Sequence, residues 1–125
     1  LRMGSTEIHI LGASGSRLDH TLSNLHLLLK PLQEGVDAVL ADENNRITLL
    51  DRGRSFKRES CFGRYISFLP LTEEVHGITL RGFRYPLTKR SIRIGESLRI
   101  SNELCGEDAT LEFSSGILIC FECRD

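Results

Sequence analysis

The chain carries no surplus of either charge: 16 lysines and arginines against 17 aspartates and glutamates over 125 residues leave a formal net charge of −1. That balance gives no general pull toward nucleic acid or an anionic membrane, and it points to a small molecule or another protein as partner. No apolar run approaches the length that crosses a bilayer, and the first residues lack the basic-then-apolar order of a secretory signal. The expected location is therefore the cytoplasm. Cysteine is sparse: Cys61 and Cys105 stand singly, and only Cys120 and Cys123 lie close together. This is not the layout of a small disulfide scaffold, so reduced thiols are expected. The last pair has zinc-like spacing, but it lies in Ile-Leu-Ile-Cys-Phe-Glu-Cys (117–123), which reads as a strand. An odd separation on a strand sends the two sulfurs to opposite faces, which argues against zinc. Internal repeats, low-complexity segments and flexible linkers are also missing. What remains is one ordinary domain, or a small domain plus part of another.

The residues that are present follow two periodicities. Residues 7–13 read as a buried strand, and the leucines at 18, 22, 25, 29 and 32 then step by four and three along one helix face. Pro31 should disturb that helix and Gly35 should stop it, after which 36–41 reads as a second strand. Strand, helix, strand is a βαβ unit, whose sheet is ordinarily covered on both faces. Two strands and one helix cannot supply both covers, and the chain opens at Leu1 rather than methionine, so further sequence upstream is expected. From about residue 46 the period becomes two, with short strands at 47–50, 64–69, 77–80, 91–94, 98–100, 109–113 and 117–121. Pro70 and Pro86 belong at strand ends or edges. The expected fold class is mixed: a partial βαβ unit over 1–45, joined tightly to an antiparallel β-sandwich over 46–125.

The chemistry concentrates where the first strand meets the helix. The glycine-bearing loop 12–20 delivers Arg17, Asp19 and His20 to a helix entrance, where unpaired N–H groups and the positive dipole end attract phosphate. The loop matches neither the dinucleotide fingerprint nor the Walker phosphate loop. Asp19 can hold a magnesium-bound triphosphate or orient a hydroxyl, or it can be a carboxylate favoured by the dipole alone. Arg17 offers a planar fork to phosphate oxygens, or is a solvated arginine. His20 can donate to phosphate or pair with nearby backbone. Asn24 and Ser23, one turn beyond His20 and Asp19, extend that polar edge or simply face water, and His26 flanks the apolar stripe. In the second half, Ser101 and Asn102 end a short strand, where a hydroxyl and an amide can meet the donor and acceptor edge of an aminopyrimidine, or make an ordinary turn. Phe68, Phe83 and Tyr85 can form an aromatic wall or core.

Taken in order, the stretches 15–29, 42–50, 65–71, 77–87 and 100–103 resemble the later part of bacterial thiamine pyrophosphokinase. The resemblance implies an α/β domain followed by a β-sandwich, in a homodimer whose active site forms between subunits. It implies transfer of a pyrophosphoryl group from ATP to the hydroxyl of thiamine, with Mg2+, giving thiamine diphosphate and AMP. On this resemblance Asp19 is the catalytic and magnesium-binding residue, Arg17, His20 and Asn24 bind ATP phosphates, and Ser101 and Asn102 bind thiamine. Members of the family carry aspartate-rich motifs earlier in their sequences, and this chain has none, so the chain alone is expected to be inactive. Two other readings are a stand-alone small-ligand sandwich and an oligonucleotide-binding barrel. The second draws on Arg81, Arg84, Arg90, Arg93 and Arg99, which read more simply as the wet face of a sheet.

Overall fold

The structure is a computed structural model that describes residues 7–11, 27–35, 37–41, 43–96 and 102–124. Its elements in chain order are β1 (Glu7–Leu11), α1 (Leu29–Gln33), β2 (Asp37–Ala41), β3 (Asn45–Leu50), β4 (Arg54–Lys57), a 3-10 turn (Arg58–Ser60), β5 (Tyr65–Pro70), β6 (Glu74–Arg81), β7 (Leu87–Arg93), β8 (Asp108–Glu112) and β9 (Leu118–Cys123). They build a five-stranded sheet in the order β1-β2-β3-β9-β5 and a four-stranded sheet in the order β4-β8-β6-β7. The β1–β2 pair is parallel, as a βαβ crossover requires, and every other pair is antiparallel.

The middle of the five-stranded sheet, β3 and β9, is buried on both faces, and β9 shows why its sequence reads as an almost unbroken apolar run. Leu118 and Cys120 point toward the second sheet, where they join Phe56, Ile66, Phe68, Val75, Ile78, Leu80, Phe83 and Leu111. Ile119 and Phe121 point the other way and meet Ile47, Leu49, Leu40 and the leucines of the helix segment. The two halves of the chain therefore share one sheet. Leu28, Leu29 and Leu32 cover its outer face. Pro31 lies in the first turn of α1, where its missing N–H would have lacked a helical partner, and Gly35 closes the segment at φ +74°. Pro70 ends β5, an edge strand, and Pro86 sits just before β7, another edge. The strand expected at 98–100 lies outside the described residues. No helix among the described residues is long and apolar enough to cross a membrane.

β4 was not anticipated, because Arg-Ser-Phe-Lys offers only one apolar residue. Phe56 alone carries that strand into the core, edge-to-face with Phe68 at 5.9 Å and with Phe83 at 5.7 Å between ring centroids. The β6–β7 ladder is also irregular. Gly77 has φ +70° and Lys89 φ +45°, the register shifts twice, and the Lys89 N–H donates to Thr79 Oγ1 at 3.0 Å instead of to the ladder.

One carboxylate is enclosed at the sandwich edge. Glu122 is 1% exposed; its Oε1 accepts the Phe62 N–H at 3.1 Å and its Oε2 lies 3.8 Å from Arg54 Nη2. Its neighbour Cys120 has a thiol pushed up to about 12 by burial first and by the Glu122 charge second. All four cysteines are free, and Cys105 is exposed. Because the thiolate is the reacting form, iodoacetamide at neutral pH is expected to alkylate Cys105 and spare Cys120 until denaturant is added. Peptide mass mapping of the native and unfolded chain checks this, and early labelling of Cys120 would contradict it.

Candidate functional site

The site forms where residues 102–105 are drawn between the two sheets. Asn102 pairs with the edge strand β5 through Asn102 N–H to Ile66 O (2.9 Å) and Ile66 N–H to Asn102 O (2.8 Å). Two residues on, the same segment pairs with the chain leaving β6, through Arg84 N–H to Glu103 O and Cys105 N–H to Gly82 O, both 2.8 Å. Gly82 also lets the chain leaving β6 pass close to β8: at φ +80°, an added Cβ would lie 2.5 Å from the Asp108 carbonyl oxygen. The result is a cavity of about 240 Å³ lined by Phe68, Leu80, Tyr85, Leu87, Arg90 and Asn102, among others. Typical small-molecule sites run to about 300–1,000 Å³. This one lies just below that range, a volume suited to one aromatic ring.

Asn102 is 2% exposed and spends its carboxamide on the cavity wall. Its Oδ1 accepts the N–H groups of Tyr85 (3.0 Å) and Glu103 (2.9 Å), and its Nδ2 donates to the Tyr85 carbonyl at 3.0 Å. Both main-chain polar groups of Tyr85 are thus held by one side chain 17 residues away. Glu103 fixes the same wall from outside: its carboxylate accepts Arg64 Nε at 2.9 Å and Arg84 Nη1 at 3.2 Å. The Arg84 guanidinium lies 5.3 Å from the centre of the Tyr85 ring.

The Arg64 hydrogen bond, joined by the charges of Arg64 and Arg84, holds the Glu103 carboxyl below the usual glutamate range. A carboxyl depressed in the folded state stabilises above its unfolded pKa, and that contribution is lost as pH falls through the lower, folded value. The Tm advantage of the native chain over Glu103→Gln is therefore expected to be full at neutral pH and to shrink as pH falls below the usual glutamate range. A difference that does not change with pH would contradict this.

Two other hollows are larger, and most of their cations are already engaged; the exception is Arg46 in the smaller of the two, whose Nε is buried without a hydrogen-bond partner. One of about 440 Å³ has Arg58 bonded to the Gly106 and Leu104 carbonyls, both at 2.9 Å, and Arg64 bonded to Glu103. One of about 400 Å³, where β2 diverges from β3, has Arg52 on Asp51 and Arg54 on Thr48 and Glu122.

Of the residues singled out in the sequence, the structure brings Asn102, Tyr85 and Phe68 together at one cavity. Phe83 lies in the core beside Phe68, and His26, Ser23, Ser101, Arg17, Asp19, His20 and Asn24 lie outside the described residues. Sequence reasoning missed Glu103. Arg90 is exposed on the edge strand β7, as a wet arginine should be, although it also lines the cavity.

Comparison with known proteins follows the same outline. Residues 54–118 match the family described as thiamin pyrophosphokinase, vitamin B1 binding domain. Thiamine pyrophosphokinase from Bacillus subtilis is 40% identical over 118 residues, covering 94% of this chain and 55% of that protein. Its crystal structure superposes with a TM-score of 0.89 at 38% identity, over 95% of this chain and 56% of the other. The thiamin pyrophosphokinase from Geobacillus thermodenitrificans gives 0.84 at 37% identity, over 95% and 54%. The chain spans about half the length of the relatives it matches. A sandwich matched over more than half of the chain, with the cavity wholly inside the matched segment, places it: the chain belongs to the thiamin pyrophosphokinase family.

Proposed function

We propose that this chain is the thiamine-binding part of an enzyme that transfers pyrophosphate from ATP to the hydroxyl of thiamine, releasing AMP and forming thiamine diphosphate. The observation that carries the reading is the coincidence of cavity and family: every residue lining the 240 Å³ cavity lies within the vitamin B1 binding match of 54–118. Residues 46–125 form the thiamine domain, and 1–45 are the end of the domain that binds ATP. Tyr85 and Phe68 flank the aminopyrimidine, Ser101 meets its polar edge, and Asn102 serves the site by holding Tyr85 in place. Arg17, His20 and Asn24 bind ATP phosphates, and Asp19 is the catalytic carboxylate. The active enzyme is a cytoplasmic homodimer with its site between subunits.

Phosphoryl transfer depends on positioning and charge neutralisation more than on covalent help from the protein. The sandwich contributes the first: a ring fixed in a small cavity projects its hydroxyethyl arm outward, where the oxygen can meet the β-phosphorus in line with the departing AMP. Mg2+ belongs to the proposal as the partner of ATP, on Asp19. Among the described residues no three His, Cys, Asp or Glu side chains stand together to hold an ion, so the cavity's part is derived without it. Titration calorimetry with thiamine is expected to show saturable one-to-one binding to the chain, and a single-stranded oligonucleotide none. Oligonucleotide binding without thiamine binding would replace this reading with the barrel alternative.

A further inference from the structure

The cavity of about 400 Å³ where β2 diverges from β3 shares no lining residue with the cavity proposed for thiamine, and its wall has two characters. Leu28, Val39 and Leu49, all buried, form an apolar side, and Arg46, Thr48 and Arg54 a polar one. Arg46 is half-buried there, and its Nε is shielded from water without a hydrogen-bond partner. Buried polar groups are nearly always paired, so an orphaned guanidinium nitrogen calls for an acceptor. The carboxylate opposite it is turned elsewhere: Glu122 faces Arg46 across the β3–β9 ladder, but it accepts the Phe62 N–H and lies 3.8 Å from Arg54. Asp51 is spent on Arg52 at 3.2 Å. Arg46, Arg52 and Arg54 against Asp51 and Glu122 leave one positive charge, and the guanidinium without a carboxylate is that of Arg46.

We propose that this cavity binds a small monocarboxylate with an apolar body, its carboxylate on Arg46 and its chain along Leu28, Val39 and Leu49. One unbalanced charge calls for a monoanion, because a second negative charge would meet Asp51 and Glu122 with no further cation to offset it. A planar guanidinium meets the two oxygens of a carboxylate through charge-assisted hydrogen bonds. The volume lies within the range of about 300–1,000 Å³ usual for small-molecule sites. A ligand there touches the helix segment, β2 and β3 of the five-stranded sheet and β4 of the four-stranded one, so its binding should raise Tm. Because the two cavities have no residue in common, this site stands or falls independently of the vitamin site.

The test is titration of the chain with sodium hexanoate, hexanol, hexylammonium and acetate, followed through the arginine Nε–H signals in nitrogen–proton correlation spectra and through Tm. Hexanoate is expected to bind at least about tenfold more tightly than hexanol, the worth of one charge-assisted contact, and to move the Arg46 Nε–H signal. Hexylammonium should not bind, and acetate should bind more weakly than hexanoate because it lacks the apolar body. Added salt should reduce the ratio of hexanoate to hexanol affinity. Arg46→Met, which keeps the reach of the side chain without its charge, should abolish the preference for hexanoate, and Arg46→Lys should keep part of it. Thiamine affinity should be equal for the native chain and both variants, which separates lost charge from a damaged fold. If a variant does not fold, the comparison of hexanoate with hexanol on the native chain decides alone. Equal binding of hexanoate and hexanol, no binding of hexanoate, a preference that survives Arg46→Met, or displacement of hexanoate by thiamine or ATP overturns the inference. Hexanoate bound by a chain that takes up no thiamine removes the vitamin site and leaves this one standing.

Discussion

Phe68→Ala is expected to cost about 3–5 kcal/mol of folding stability, the range for removing a buried phenyl ring and leaving a cavity. Phe68 is 2% exposed and sits between two other rings, 5.9 Å from Phe56 and 5.9 Å from Phe83, both edge-to-face. Phe56 belongs to the four-stranded sheet, Phe83 to the segment leaving it, and Phe68 to β5 of the other sheet. The triad is therefore a clamp between layers, and its loss removes ring–ring attraction as well as buried area. A domain of this size has only about 5–15 kcal/mol in hand, so the urea midpoint should fall steeply with little change in slope. Because Phe68 also lines the cavity proposed for thiamine, the variant should bind thiamine poorly even where it remains folded. Ile94→Ala provides the contrast: that side chain is 59% exposed, and its loss should stay within about 0.5 kcal/mol. A loss below about 1 kcal/mol for Phe68→Ala would mean that the three rings do not bind the sheets together.

The periodicities of the sequence made the strands legible where one residue in two was apolar, as in 64–69 and 109–113, and where a short run was apolar throughout, as in 117–121. They failed at β4, where Phe56 is the only apolar member of four and pairing with β8 decides the conformation. Leu28 was overlooked because the stripe was drawn through positions 29 and 32, yet it is the more deeply buried residue at 1% exposure. Each failure reflects a partner far away in sequence, which no window of neighbouring residues contains.

The site divides in the same way. Asn102 stood out as a candidate from the serine-asparagine pair, and Tyr85 as an aromatic of either wall or core, but nothing in the sequence links the two. The link is the carboxamide lying across both main-chain groups of Tyr85, which exists only once 102–105 has been drawn between the sheets.

Asn102→Ala is accordingly expected to damage stability and binding together, through one cause. The substitution leaves the Tyr85 N–H, the Tyr85 carbonyl and the Glu103 N–H without the partners they have at 3.0, 3.0 and 2.9 Å. A buried polar group left unmade costs about 1–3 kcal/mol, and water reaching the cavity recovers part of it, so a net loss of about 2–4 kcal/mol follows. The near-isosteric Asn102→Asp separates the contributions. It retains an acceptor for the two N–H groups but sets a second oxygen against the Tyr85 carbonyl, turning a hydrogen bond into repulsion. Its loss should therefore be of the same order, although its shape is unchanged. Thiamine affinity should fall at least about tenfold in both variants, since the Tyr85 main chain that shapes the wall is released. Denaturant titration gives the first effect, and calorimetry at a temperature where the variants stay folded gives the second. If Asn102→Ala unfolds at the native urea midpoint, the carboxamide is not what fixes Tyr85. If it is destabilised but binds thiamine normally, Tyr85 is core and not a wall of the site.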